Sequence, residues 1–193
     1  MKRIGLMAAL SISVFVTSCK KEQKETDVVK ETVEVMEKGL TAQSKKLTMK
    51  LAPKSDSKAA GSVFFKEVDG TVTMTAVLGG LSEGTHAIHI HEKADCSSAD
   101  GKSSGGHWNP TAQPHGKWGD VAGYHKGDIG NFEADENGNG TITFITNTWC
   151  IGCDDPNKDI TGKAIIVHQG TDDFTSQPSG AAGARISCGG IIE

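Results

Sequence analysis

The sequence predicts an all-β domain, an antiparallel barrel or sandwich of about eight short strands with two long functional loops. Three observations carry this. From residue 47 onward apolar residues recur with a period of two, segment after segment, and no long helical period competes with them. Gly, Asn and Asp fall between those segments, where tight turns need them. The composition, 24 Gly against 5% aromatic residues and a single Tyr, suits short strands joined by long ordered loops. It also excludes classes. With 20 basic and 24 acidic residues the net charge is -4, which lacks the basic excess that general nucleic-acid binding requires. Only one stretch, near the start, is apolar enough to enter a membrane, and it is too short for a comfortable span, so a polytopic membrane protein is ruled out.

In chain order, residues 1–18 read as a secretory signal peptide: Lys2 and Arg3 precede an apolar run over residues 4–16 broken only by Gly5, Ser11 and Ser13. The run closes on Val16-Thr17-Ser18-Cys19, which resembles the lipobox of bacterial lipoproteins. That resemblance implies cleavage before Cys19 and a diacylglyceryl group on its sulfur. The protein would then be exported and anchored to a membrane, facing the periplasm or the cell surface. Ordinary signal cleavage nearby is the plainer alternative. Residues 19–46 comprise that cysteine and a charged tether. Within it Val29, Val33, Met36 and Leu40 are spaced to stripe one face of a short helix, but two heptads are too few for a coiled coil, and a solvated spacer is the preferred reading. Removing Lys2 and Arg3 from the 20 basic residues leaves 18 against 24 acidic ones, a mature charge of -6.

Residues 47–193 form the domain. Leu47-Thr48-Met49-Lys50-Leu51 alternates, Gly61-Ser62-Val63-Phe64-Phe65 runs toward a turn at Asp69-Gly70, and residues 71–77 alternate again. Ala87-Ile88-His89-Ile90-His91 reads as a strand, and Asn137-Gly138-Asn139-Gly140 is a turn leading into Thr141-Ile142-Thr143-Phe144-Ile145. Ala164-Ile165-Ile166-Val167 and Ala184-Arg185-Ile186-Ser187-Cys188 complete the set. Residues 92–127 and 169–183 do not alternate. Loops of that length inside a compact domain are functional, or tied down by something other than a core.

All 7 histidines fall between His86 and His168. On a strand, residues two apart share a face, so His89 and His91 project together while Ile88 and Ile90 point to the core. Two imidazoles on one rigid face make a pincer for copper or zinc. His86 has the opposite parity and is expected in the core, satisfied by backbone hydrogen bonds. His107, His115, His125 and Asp128 follow in one loop; three imidazoles and a carboxylate suit a closed tetrahedral zinc site. His89, His91 and His168 with one shared ligand give an all-nitrogen site suited to copper(II).

Here a family resemblance becomes specific. The segments His86-Ala87-Ile88-His89-Ile90-His91-Glu92, Gly105-Gly106-His107-Trp108-Asn109-Pro110, His125-Lys126-Gly127-Asp128, the run over residues 162–168 and the run over residues 180–189 resemble a copper,zinc superoxide dismutase of bacterial exported type. The likeness covers residues 47–193, with every motif in order. It implies a Greek-key β-barrel, with copper held by His89, His91, His107 and His168 and zinc by His107, His115, His125 and Asp128. His107 would bridge the metals, and Asp172 would link copper and zinc ligands from behind. The implied reaction is dismutation of superoxide to dioxygen and hydrogen peroxide, an antioxidant defence outside the cytoplasm, with the His107 ring taking up and returning a proton. Arg185 matches the family's active-site arginine, which draws the anion toward copper. That role matters here because the net charge opposes encounter. Residues 169–184 contain no Lys, so Lys93, Lys102, Lys117 and Lys126 are the remaining candidates for steering, each more ordinarily a solvated surface charge.

Four cysteines remain after Cys19. The resemblance pairs Cys96 with Cys188. Cys150-Ile151-Gly152-Cys153 departs from the family pattern and lies in a longer-than-usual segment. A local Cys150–Cys153 disulfide is preferred there over a redox pair or a metal-acquisition site, since no thioredoxin-like context surrounds it. A second departure, Ala181-Ala182-Gly183 in place of the family's usual Asn-Ala-Gly, is expected to loosen loop packing and leave the ligands untouched. Two other functions compete: a module that binds or delivers copper or zinc without turnover, and a structural surface lipoprotein. Oligomeric state stays open, a homodimer being one of the arrangements the family allows.

Overall fold

In the computed structural model residues 44–192 are described; the signal peptide, Cys19 and the tether up to residue 43 lie outside them. Eight strands close into a barrel: β1 (Ser44–Pro53), β2 (Ala60–Val68), β3 (Thr71–Gly79), β4 (Gly84–His91), β5 (Gly130–Ala134), β6 (Gly140–Thr146), β7 (Ala164–His168) and β8 (Arg185–Gly190). Their order around the barrel is β1-β2-β3-β6-β5-β4-β7-β8, and every pairing is antiparallel. The β3–β6 and β4–β7 neighbours are the crossovers of a Greek key, and β8 closes on β1 through Ala52 opposite Cys188.

The period of two explains the core. Leu47, Met49 and Leu51 of β1, Val63 and Phe65 of β2, Val72, Met74, Ala76 and Leu78 of β3, and Ile88 and Ile90 of β4 all face inward and are buried. Their polar neighbours face out, as on a half-buried antiparallel sheet. Strand β1 begins at Ser44, three residues before its alternation starts in the sequence, because Lys45 and Lys46 still pair with Glu67 and Lys66 of β2. Strand β5, Gly130-Asn131-Phe132-Glu133-Ala134, carries too few apolar residues to be marked by pattern; its pairing with β4 from Gly84 to Ile88 defines it.

Three connections depart from the barrel. Residues 92–129 join β4 to β5, residues 169–184 join β7 to β8, and residues 147–163 join β6 to β7. A Cys96–Cys188 disulfide ties the first of these to β8, and a Cys150–Cys153 disulfide closes a turn within the third. The Cys96–Cys188 link spans a sequence separation of 92 residues. Its removal as a Cys96→Ala/Cys188→Ala pair is expected to cost about 2–5 kcal/mol of stability. Chemical denaturation of the two proteins side by side checks this; coincident curves would show that the loop is held without it.

Candidate metal centre

The site is built on the outer face of β4, where the strand's alternation turns Ile88 and Ile90 into the barrel and His89 and His91 out of it. His86, on the core parity, is 1% exposed; its ring meets the carbonyls of His168 and Ser82, each at 2.9 Å, so it braces β7 from inside. The next loop then folds back along β4. Glu92 N donates to Gly106 O and Trp108 N to Ile90 O, and an isolated antiparallel bridge forms between His91 and His107. This false edge strand fixes His107 beside the pincer.

Two donor clusters result, each with its ligand atoms within 4.8 Å of one another and every residue buried: His89, His91, His107 and His168 in one, His107, His115, His125 and Asp128 in the other. The outward nitrogens are spoken for. His89 Nε2 donates to Asp172 Oδ2 at 2.8 Å and His115 Nε2 to Asp172 Oδ1 at 2.9 Å. His91 Nδ1 donates to Gly105 O at 3.0 Å and His168 Nδ1 to Gly183 O at 3.4 Å. A carboxylate or carbonyl can only accept, so these contacts fix the tautomers and leave the opposite nitrogens free to bind. In the first cluster those are His89 Nδ1 and the Nε2 atoms of His91 and His168. In the second, His107 Nδ1 lies 2.8 Å from Asp128 Oδ1, His115 Nδ1 3.0 Å from Oδ2 and His125 Nδ1 3.2 Å from Oδ1. His107 therefore shows Nε2 to one cluster and Nδ1 to the other. Four of these atoms, His89 Nδ1, His107 Nε2, His115 Nδ1 and His125 Nδ1, are buried without a hydrogen-bond partner among the described residues. Buried polar atoms left bare on one spot are the mark of cation sites, and an all-imidazole set beside an imidazole–carboxylate set fits copper and zinc.

The electrostatics agree. Burial, reinforced by neighbouring rings, pushes His91 and His168 well below the ordinary histidine value, and it lowers His107 to about 4 against the pull of Asp128. These rings are neutral and ready to ligate. His115 is raised to about 9: burial opposes its charge, but the carboxylates of Asp128 and Asp172 outweigh it. Both carboxyls stay well below the usual range despite burial, because imidazole and backbone N–H groups donate to them.

A cleft of about 540 Å³ opens over the clusters, lined among others by His91, His107, His125, His168, Lys102 and Arg185. Arg185 Nη1 donates to Gly101 O at 3.0 Å and to Ser104 Oγ at 3.1 Å, which holds the guanidinium at the mouth. Of the four lysines considered for steering only Lys102 lines the cleft, and it pairs with Asp100 at 3.1 Å. Lys93, Lys117 and Lys126 do not line it.

Two further residues had no signal in the sequence. Gln177 Oε1 accepts from His115 N at 2.9 Å while Gln177 Nε2 donates to His115 O at 2.8 Å, so the loop carrying Asp172 grips both the ring and the backbone of His115. Gly180 adopts φ +65°, and a Cβ there would collide with Asp172 Oδ1 and His115 Nε2. Ala181 next to it takes φ 53°. That left-handed conformation favours Asn over Ala, so the departure from Asn-Ala-Gly acts through backbone strain at this turn.

Known proteins resemble this chain in sequence and in fold. The family model for copper/zinc superoxide dismutase matches residues 59–191. A superoxide dismutase [Cu-Zn] from Caulobacter vibrioides is 37% identical over 140 residues, spanning 70% of this chain and 80% of that protein. Among solved structures, a SOD-like protein from Bacillus subtilis superposes with a TM-score of 0.66 at 29% identity, over 75% of this chain and 97% of that one. A double mutant of a Bacillus subtilis SOD-like protein gives 0.67 at 31% identity, over 76% and 97%. The clock protein EA4 gives 0.65 at 31%, over 76% and 94%.

Asp172 links His89 of the first cluster to His115 of the second. Asp172→Asn keeps its shape but must leave one ring without an acceptor, so metal affinity is expected to fall about tenfold to a hundredfold. Competition with a chromophoric chelator measures it; unchanged affinity at both clusters would show the link to be incidental.

Proposed function

This chain belongs to the copper/zinc superoxide dismutase family, whose members are enzymes carrying copper and zinc, and from that membership we propose how its residues divide the work. The first cluster, His89, His91, His107 and His168, holds copper; the second, His107, His115, His125 and Asp128, holds zinc. The single observation that carries this is the His107 ring, which turns opposite nitrogens to the two clusters. Bound copper supplies the one-electron exchange by which two superoxide anions and two protons become dioxygen and hydrogen peroxide, and bound zinc supplies a fixed positive charge beside it.

The chain's own groups do the rest. His107 Nε2 holds and releases a proton facing the first cluster while Nδ1 stays anchored toward Asp128, so the ring moves a proton without turning. Asp172 keeps Nδ1 of both His89 and His115 facing inward. Arg185 supplies a positive charge at the cleft mouth that, among the described residues, is not taken up by an ion pair as that of Lys102 is, and its planar fork orients a small anion there. Burial of every donor excludes water from the space between the clusters.

The leader pattern, the small residues before Cys19 and the two disulfides, which need an oxidising compartment, support an exported protein held to a membrane by lipid on Cys19, acting outside the cytoplasm. Cys19→Ser is expected to abolish fatty-acid labelling and move the protein from the membrane to the soluble fraction; retention of the label would place the lipid elsewhere.

The reaction is tested on the purified chain reconstituted with copper and zinc. It is expected to bind both metals, to consume superoxide and to lose that activity in cyanide. Stoichiometric metal without turnover would make it a storage or delivery module instead. Arg185→Ile is expected to lower kcat/KM by roughly tenfold or more and to flatten its dependence on ionic strength, with metal content intact. Kinetics equal to the unaltered enzyme would remove Arg185 from the mechanism.

A further inference from the structure

The segment that departs from the family pattern, residues 147–163 with its Cys150–Cys153 disulfide, has no part in either cluster. Its first large side chain nevertheless reaches the backbone between two residues of the second. Trp149 is 1% exposed, and its indole N–H donates to the carbonyl of Lys126 at 2.9 Å. Lys126 lies inside the tight turn that runs from His125 to Asp128, where Asp128 N donates to His125 O at 3.1 Å and Asp128 Oδ2 accepts from His125 N at 2.8 Å. Among the described residues the indole is the only hydrogen-bond partner of that carbonyl.

We propose that Trp149 is a positioning residue for the zinc cluster, and that the loop after β6 is a brace that holds the His125–Asp128 turn in its ligating shape. The proposal rests on the reading that the second cluster binds zinc.

The turn is gripped from two sides. On the barrel side Ile90 N donates to Gly127 O and Gly127 N to Trp108 O, each at 2.9 Å, which sews the turn to β4 and the false edge strand. On the opposite side the indole is the contact. It lies in an aromatic cluster, with Phe144 at 5.0 Å and Trp118 edge-on at 5.7 Å, and Trp118 packs in turn on Tyr124, the residue before His125, at 4.9 Å.

The brace is itself anchored. Cys150 N donates to Lys158 O and Ile160 N to Cys150 O, so the backbone directly after Trp149 is paired. Ile151 N donates to Glu67 Oε2 at 2.9 Å, and Lys45 Nζ donates to the carbonyls of Ile151 and Gly152 at 2.6 and 3.0 Å. The stapled turn is thus tied to β1 and β2 and cannot slide along the barrel wall. A tryptophan that only filled space could satisfy its N–H on any nearby carbonyl. This one takes the carbonyl between two ligands of one ion, where a shift of a few tenths of an ångström alters ligand geometry.

The test replaces Trp149 with β-(3-benzothienyl)alanine, which has nearly the same shape but carries sulfur in place of the N–H. Cobalt(II) is the probe, because its visible absorption reports tetrahedral binding by three imidazoles and a carboxylate. In the metal-stripped chain the analogue is expected to weaken cobalt binding at the second cluster about tenfold and to shift the band, while copper affinity at the first cluster stays as it was. Phe144→Leu thins the same aromatic packing without touching Lys126; it is expected to lower the melting temperature and leave cobalt affinity unchanged. Cobalt binding by the analogue as tight as in the natural chain, with the same band, would overturn the brace. So would a Phe144→Leu protein whose cobalt affinity falls as far as the analogue's, since packing alone would then explain it. If the unaltered chain gives no tetrahedral cobalt band that His125→Ala abolishes, the zinc reading falls and the brace with it.

Discussion

One imidazole must face two ways. His107 turns Nε2 to three other histidines and Nδ1 to a second set, and that sharing dictates how near two loops and two strands must come. Its ring centre is 4.0 Å from that of His89, 5.0 Å from His91, 5.3 Å from His115 and 5.6 Å from His125. Such crowding is possible only on a stiff platform. Strand β4 supplies it, packed on both sides by β5 and β7, and the 107 region is made stiff by borrowing β4's free edge through the His91–His107 bridge. Strands β7 and β8 then present His168 and Arg185 opposite one another in their shared register.

The same crowding is expensive for the fold. Six imidazoles and two ionised carboxylates are buried together, and several ring nitrogens among them lack any partner among the described residues. An unsatisfied buried polar atom costs on the order of 1–3 kcal/mol, so the clusters oppose folding until a cation satisfies them. Metal binding and folding are therefore linked. What offsets the cost lies elsewhere: a continuous apolar barrel core from Leu47 to Ile191 and a disulfide that shortens the longest loop in the unfolded chain. The carboxylates limit it as well. Asp128 and Asp172 each accept from two or more N–H groups, which keeps them charged in a place where a lone carboxyl would be neutral.

Which parts of this were legible in the sequence follows from how local each signal is. Strand parity is local, so the outward His89 and His91, the inward Ile88 and Ile90 and the core position of His86 could all be read from five or six residues. The alternating strands were readable for the same reason; β5 was not, because a five-residue strand with a glycine, an asparagine and a glutamate carries no pattern and owes its existence to β4. The two sets of histidines could be sorted by ligand chemistry, but that His107 is the ligand they share came from resemblance, since spacing alone does not say which rings converge. Contacts between loops left no trace at all. Gln177 and His115 are 62 residues apart, Trp149 and Lys126 23 apart, and each contact depends on how a whole loop folds. That Lys102 lines the cleft while Lys93, Lys117 and Lys126 do not was unreadable for a related reason, since charge can be counted in a sequence but its orientation toward a cleft cannot.

Orientation also distinguishes Arg185 from a free surface charge. Burial pulls Arg185 below its ordinary value while Asp100 and Glu92 pull it back up, so it remains a cation whose field is partly cancelled at the rim. An anion gains from it only by coming past that rim to the guanidinium itself. The guanidinium is aimed by Gly101 O and Ser104 Oγ, both on the segment that follows Cys96, and Cys96 is bonded to Cys188, three residues beyond Arg185 on β8. Just after β1, Lys54 Nζ donates to the carbonyl of Cys96 at 2.5 Å and Ser55 N to that of Ala99 at 2.8 Å. The disulfide therefore does more than constrain the unfolded chain: it sets the distance between the arginine's backbone and the acceptors that point its side chain. A positive charge on a free side chain would act on the surface in general, whereas this one is aimed at the mouth of one cleft.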